Sequence, residues 1–138
     1  MRQLLLCFLS FLLFITGCSL QEYSYQTAID NGDVVSEGTT KGNLDLFQKF
    51  LSDIDTQKPS DVKVTRYSKE GDPIFFKLKY NGVEIQIHED ASKDKYGGGK
   101  QVYQCKGVEE NDLPEGTEYV LTGCSISSRR PILMIYKK

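Results

Sequence analysis

Ile74-Phe75-Phe76-Lys77-Leu78-Lys79-Tyr80-Asn81-Gly82-Val83-Glu84-Ile85-Gln86-Ile87 decides the fold class. Ile74, Phe76, Leu78 and Tyr80 fall on one side of an extended chain, opposite Phe75, Lys77 and Lys79. A period of two is the mark of a strand with one face buried. Asn81-Gly82 interrupts the pattern, and both residue types tolerate positive φ, which predicts a two-residue type I′ hairpin turn. Beyond it Val83, Ile85 and Ile87 are expected inward, with Glu84, Gln86 and His88 outward.

The same period extends from this hairpin in both directions. Upstream, Asp61 to Ser68 alternates Val62 and Val64 against Lys63 and Thr65, and Glu70-Gly71-Asp72-Pro73 reads as the connecting turn. Downstream, a second hairpin is expected from Gln101–Val108 to Thr117–Cys124, turned by Asn111 to Gly116. Ile132, Met134 and Tyr136 close the sheet, with Leu133 and Ile135 on its other side. Before the strands the period is helical. Leu44, Phe47, Phe50, Leu51 and Ile54 share one face of a helix over Asn43 to Asp55, capped by Asn43 and stopped by Lys58-Pro59-Ser60. A shorter helical turn over Tyr25 to Ile29 ends at Asn31-Gly32, and Asp33 to Gly42 reads as a loop after a short Val34-Val35 extended piece. A helix followed by six strand-like runs implies an α+β fold, a mainly antiparallel sheet of about five to six strands with an N-terminal helix packed on one face.

The first residues have a different purpose. Arg2 precedes an apolar run, Leu4 to Ile15, broken only by Ser10. A run of about a dozen residues is too short for a spanning helix, which needs roughly 20, and fits the core of an export signal. Ile15-Thr16-Gly17-Cys18 then resembles the processing site of bacterial lipoproteins. That resemblance implies a diacylglyceryl group on the Cys18 thiol and cleavage on its N-terminal side. The organisation that follows is a cleaved lipoprotein signal peptide at 1–17, a lipidated flexible tether at 18–25 and a single α+β domain at 26–138. The expected location is the extracytoplasmic face of the cell membrane, with the lipid as the contact to the bilayer.

The mature chain of 121 residues is long enough for one core. It carries 16 Lys+Arg against 19 Asp+Glu, a formal balance of −3 that gives no electrostatic footprint for nucleic acid. Of the four cysteines, Cys7 leaves with the signal and Cys18 takes the lipid. Cys105 and Cys124 remain, and in an oxidising compartment an isolated pair reads as a disulfide.

Ala28…Asn31-Gly32-Asp33-Val34-Val35, Gly71-Asp72-Pro73-Ile74, Cys105 and Gly123-Cys124-Ser125 together resemble a family of small lipoproteins from Gram-positive bacteria that is classed only as a domain of unknown function. The resemblance spans nearly all of the mature chain and implies a Gram-positive cell surface. Its motifs are turns and cysteines, and it brings no catalytic residue.

The chemistry-bearing groups are few. His88-Glu89-Asp90 with Asp94 forms an acidic group at a strand end. Asp90, Ser92 and Asp94 are spaced like the start of a calcium loop, but Lys95 stands where Gly is needed and Gln101 where Glu is needed, so no metal is expected. Tyr96-Gly97-Gly98-Gly99-Lys100 lacks the spacing, the following Ser/Thr and the strand-to-helix context of a phosphate loop. One histidine and no G-x-S-x-G elbow leave no nucleophile–base pair. Arg129-Arg130 makes a small basic spot, and Tyr23, Tyr25, Tyr67, Tyr96 and Tyr103 fall in loops or outward positions, where tyrosine suits an interface. His88, Asp90, Asp94, Tyr96, Arg129 and Arg130 are the candidate ligand surface. The expectation is a binding or accessory module without cofactor, acting on an unidentified envelope protein or ligand, and not an enzyme. The competing class is a carboxylate-dependent envelope hydrolase, which needs a cleft walled by two acids of perturbed pKa. Whether the loops at Asp33–Gly42, Glu89–Lys100 and Gly123–Arg130 converge separates the two.

Overall fold

Residues 22–137 are described by the computed structural model; the signal segment 1–17 and Cys18 lie outside them. In chain order they form α1 (Tyr25–Asp30), β1 (Val35–Glu37), β2 (Thr40–Gly42), α2 (Leu44–Asp55), β3 (Ser60–Tyr67), β4 (Pro73–Tyr80), β5 (Ile85–Ala91), β6 (Gly99–Cys105), β7 (Gly107–Leu113), β8 (Gly116–Thr122) and β9 (Arg130–Tyr136). They make three antiparallel sheets, ordered β1-β2, β3-β4-β5-β6 and β7-β8-β9.

The hairpin of β4 and β5 forms with Tyr80 opposite Ile85 and Leu78 opposite Ile87. Phe76, Leu78, Ile85 and Ile87 are buried as the alternation requires. The type I′ expectation is wrong. Four residues, Asn81 to Glu84, connect the strands, and of Asn81 and Gly82 only Gly82 has positive φ, +98°. The Asn81 side-chain oxygen accepts from the Val83 and Glu84 amides at 2.9 Å each, an Asx turn that satisfies the loop backbone locally. The longer loop turns Val83 out to 74% exposure instead of inward.

The second half departs further. Asn111 to Gly116 read as the turn, yet Asn111 to Leu113 belong to β7 and Gly116 opens β8, the two pairing from Gly107↔Thr122 to Leu113↔Gly116. The strand carries no alternation because it is exposed or half-buried along its length; pairing with β8 holds it, and of its side chains Val108 packs against the core. The expected partner of Gln101–Val108 was Thr117–Cys124. Instead β6 pairs with β5, and the chain changes sheets at Lys106. The segment Asp33–Gly42 is likewise the β1–β2 hairpin and not a loop. At β9 both Ile132 and Leu133 are buried, next to a register shift at Tyr119/Val120.

These changes overturn the α+β expectation. Half of the structure is strand, 50% against 16% helix. The inward side chains of the β3–β6 sheet join one core with Tyr119, Leu121, Ile132 and Leu133 of the β7–β9 sheet, so a second sheet covers the face assigned to a helix. α2 adds Phe47 and Phe50 to that core, and Phe47 meets Tyr119 edge-on at 5.0 Å. Each buried Phe contributes about 1.5–3 kcal/mol, which explains why the helical period is so plain in the sequence. Asn43 does not cap α2 with its side chain. It sits at φ 54°, and its carboxamide N–H groups donate to the carbonyls of Ile29 and Asp33 at 2.8 and 2.9 Å, tying α1 to α2.

Two further ties join the sheets. Val34 makes a parallel bridge to Val64 of β3, while Ser36 Oγ donates to the Met134 carbonyl of β9 at 2.5 Å. Cys105 at the end of β6 is bonded to Cys124, beyond β8, with Sγ–Sγ 2.08 Å. Around that bond the Lys106 amide donates to the Thr122 carbonyl and the Ser125 amide to the Gln104 carbonyl, both at 2.8 Å.

Candidate functional site

Because Leu78, Ile87 and Tyr103 point into the core, their neighbours in sequence point to the other face of the β3–β6 sheet. The register sets them in rows: Lys63, Lys77, His88 and Val102 lie side by side across the strands, with Thr65, Phe75, Asp90 and Lys100 in the next row. A shallow groove of about 220 Å³ runs over this face, lined by Asp33, Lys63, Thr65, Phe75, Lys77, His88 and Asp90 among others. A neighbouring hollow of about 420 Å³ lies between Pro59–Asp61 and Lys77, Lys79 and Tyr80.

The electrostatics of the groove are lopsided. Lys63 stands directly opposite Lys77, and like charges opposed on adjacent strands destabilise a sheet. Among the described residues neither ammonium has a carboxylate within ion-pairing distance. The two acids that line the groove are already committed, while Asp61 of the neighbouring hollow forms no ion pair with either lysine. Asp33 is buried, and its Oδ2 accepts from Thr65 Oγ1 at 2.8 Å and Tyr23 Oη at 2.7 Å. Asp90 accepts from the Ser92 hydroxyl and amide and pairs with Lys100 at 3.1 Å, and the Ser92 hydrogen bonds hold its carboxyl below the usual range. His88 Nε2 lies 3.0 Å from Gln86 Oε1. The groove therefore offers cations, an imidazole and the Phe75 ring, an arrangement suited to holding an anion against an apolar floor.

The six residues picked from sequence separate into three places. His88 and Asp90 share the groove. Asp94 and Tyr96 lie on the β5–β6 connection, where Asp94 Oδ1 accepts from the Tyr96 amide at 3.0 Å and the Tyr96 side chain is 74% exposed. Arg129 forms a two-pronged bond to Glu118, which holds that carboxyl low. Arg130 goes inward: its Nη1 is 3.6 Å from Glu89 Oε1, its guanidinium lies 5.6 Å from the Tyr103 ring centroid, and Tyr103 Oη donates to Glu89 Oε2 at 2.8 Å. Tyr103 is thus buried and not outward, and burial together with Glu89 pushes its phenol well up. The three stretches meet only at their ends, Asp33 with Asp90 in the groove and Arg130 with Glu89, while the tips of the second and third lie apart. The β5–β6 connection reaches the β3–β4 turn through a Lys95 amide to Asp72 bond of 3.1 Å, whereas Ser125 sits by Gln104 near the other end of β6. Among the described residues no three His, Cys, Asp or Glu side chains gather as a metal set.

A second aromatic group surrounds the start of the described chain. Tyr23 meets Phe75 edge-on at 4.9 Å, Tyr25 meets Tyr67 at 4.4 Å, and Tyr67 Oη donates to the Tyr23 carbonyl at 3.0 Å. Burial, then the neighbouring Tyr23, Tyr25, Asp33 and Glu37, push the Tyr67 phenol up to about 12. Sequence reasoning missed Lys63 and Lys77 because it treated the outward row as solvated; the available signal was Phe75, an aromatic ring in that outward set.

A family model described as "Domain of unknown function (DUF4362)" matches residues 31–120, about two thirds of the chain and every groove residue. No curated protein and no solved structure matches.

Proposed function

We propose that the chain, which belongs to the DUF4362 family of domains of unknown function, is an extracytoplasmic lipoprotein whose domain binds an anionic group of the cell envelope on the outer face of the β3–β6 sheet. The observation that carries this reading is the opposed Lys63 and Lys77 beside Phe75, without a carboxylate partner among the described residues. An anion seated between them would remove the repulsion and gain two charge-assisted hydrogen bonds. The lipid anchor is carried by Ile15-Thr16-Gly17-Cys18 and the apolar run before it. Binding is favoured over hydrolysis because the two acids of the groove are engaged, Asp33 by Tyr23 and Thr65 and Asp90 by Ser92 and Lys100.

The test is binding of the full chain to immobilised poly(glycerol phosphate). Replacing both lysines, Lys63→Gln with Lys77→Gln, is expected to weaken binding roughly 2- to 30-fold at low salt and to flatten its salt dependence, since each exposed ion pair is worth about 0.2–1 kcal/mol. Unchanged affinity in the double variant rejects the site. Turnover of an envelope polymer that is lost in Asp33→Asn or Asp90→Asn would replace it with the hydrolase reading.

A further inference from the structure

We propose that the domain rests on its own membrane through the sheet end that carries Tyr25 and Tyr96, with the Tyr96 ring in the headgroup layer. This rests on the anchor proposed at Cys18. Fixed structure begins close to that residue: Tyr23 Oη donates to Asp33 at 2.7 Å, and Ser24 caps α1 by accepting from the Thr27 amide at 3.2 Å. Five residue steps separate Cys18 from Tyr23, a reach of at most about 18 Å even when fully extended. A lipid on Cys18 therefore holds the Tyr23 side of the domain against the bilayer surface.

That side has a defined composition. Tyr67 and Gly71 of the β3–β4 corner border Glu22 to Tyr25 in one notch. The same corner holds the β5–β6 connection, since Asp72 accepts from the Lys95 amide at 3.1 Å. Tyr96 is 74% exposed there and Tyr25 39% exposed. Tyrosine favours the membrane interface, where its ring is apolar and its hydroxyl stays wet. The Lys95 ammonium lies 5.5 Å from the Tyr96 ring centroid, positioned to meet phosphate when the ring is seated. Two acids of this end are turned to backbone amides, Asp72 to Lys95 and Asp94 to Tyr96.

The connection also holds the Tyr96 backbone in a tight turn. The Asp94 amide donates to the Ala91 carbonyl at 3.1 Å and the Gly97 amide to the Asp94 carbonyl at 3.0 Å. A Cβ on Gly97 would strike the Ala91 carbonyl oxygen, so the turn closes too tightly for any other residue. A backbone ordered in advance leaves only the ring's own freedom to be lost on insertion.

The chain contains no tryptophan, so a single substitution makes a clean probe. Tyr96→Trp and Val83→Trp, at opposite ends of β5 and both at positions 74% exposed, are made separately in the full lipidated chain and reconstituted into vesicles containing phosphatidylglycerol. Flotation reports the anchor, and quenching by brominated lipid reports the surface. In the floating fraction, emission at 96 is expected to shift to the blue and to be quenched at least about threefold more than at 83. Flotation with no quenching at 96, or equal quenching at both positions, overturns the surface and leaves the anchor standing. Failure to float overturns both.

Discussion

Removing the Cys105–Cys124 bond should cost the domain several kcal/mol of stability. The cross-link closes a loop with a sequence separation of 19. Loop-closure entropy for that length amounts to about 3 kcal/mol at 25 °C. A domain of this size loses about 4 °C of Tm per kcal/mol, so the expected drop is about 12 °C. Cys105 is buried and Cys124 packs against the core, so deleting both sulfurs in Cys105→Ala with Cys124→Ala adds a packing defect of about 1 kcal/mol or more. Reduced wild type keeps the sulfur volume and isolates the cross-link. Urea unfolding followed by far-UV circular dichroism, on oxidised, reduced and double-variant protein, separates the two contributions. The urea dependence should steepen on reduction, because the freed unfolded chain exposes more surface. A loss on reduction below about 1 kcal/mol refutes the reasoning; the β6–β8 junction would then be held by its hydrogen bonds and core contacts, and the bond would be incidental to stability.

Two other outcomes follow from particular residues. Cys18→Ser should abolish incorporation of labelled fatty acid and release the protein from the membrane fraction; label retained in the variant removes the anchor. Burial raises the Glu37 carboxyl above its ordinary value, against the Tyr67 amide and the Arg66 charge that lower it. A raised carboxyl favours the protonated form in the folded state, so wild type is penalised above the folded pKa and relieved below it. Glu37→Gln should therefore be at least as stable as wild type at pH 7, with any advantage fading toward pH 4 as Glu37 protonates; thermal melts across that range check it, and an advantage that grows on acidification contradicts it.

The elements that sequence made legible are those that bury a regular stripe. β3, β4, β5 and α2 place Val62, Val64, Phe76, Leu78, Ile87, Phe47 and Phe50 in one core, so their periods survive in the residue order. β7 was unreadable because its Glu109-Glu110-Asn111-Asp112 run buries nothing and depends on β8 for every strand contact. The division into sheets was equally hidden, since β6 and β7 are separated by Lys106 alone. Asn43 and Asn81 show the limit of local chemistry: Asn43, read as a cap, instead donates to carbonyls that only the fold supplies, and the Asn81 side-chain oxygen serves a longer loop than the turn it was read for. For the groove, His88 and Asp90 were legible as polar groups on β5, while Lys63 and Lys77 became a pair only through cross-strand register. Arg130 was read as part of a solvated basic spot, and its half-buried place against Glu89 and Tyr103 follows from the packing of β9 against the β3–β6 sheet, which residue order does not show.

The single Val34–Val64 bridge has a consequence for neighbours of this molecule. Val34 uses the Lys63 carbonyl and the Thr65 amide, at 2.8 and 3.0 Å, and Glu37 takes the Tyr67 amide at 3.2 Å. The outer border of β3 is thus occupied from Lys63 to Tyr67 from within the same chain, with Pro59 just before the strand. On β6, Ser125 occupies both backbone groups of Gln104. Open strand borders are where identical copies zip together. Under the anchor proposed at Cys18, molecules would meet in the membrane plane far more often than in solution, and these occupied stretches of border hinder edge-to-edge pairing there.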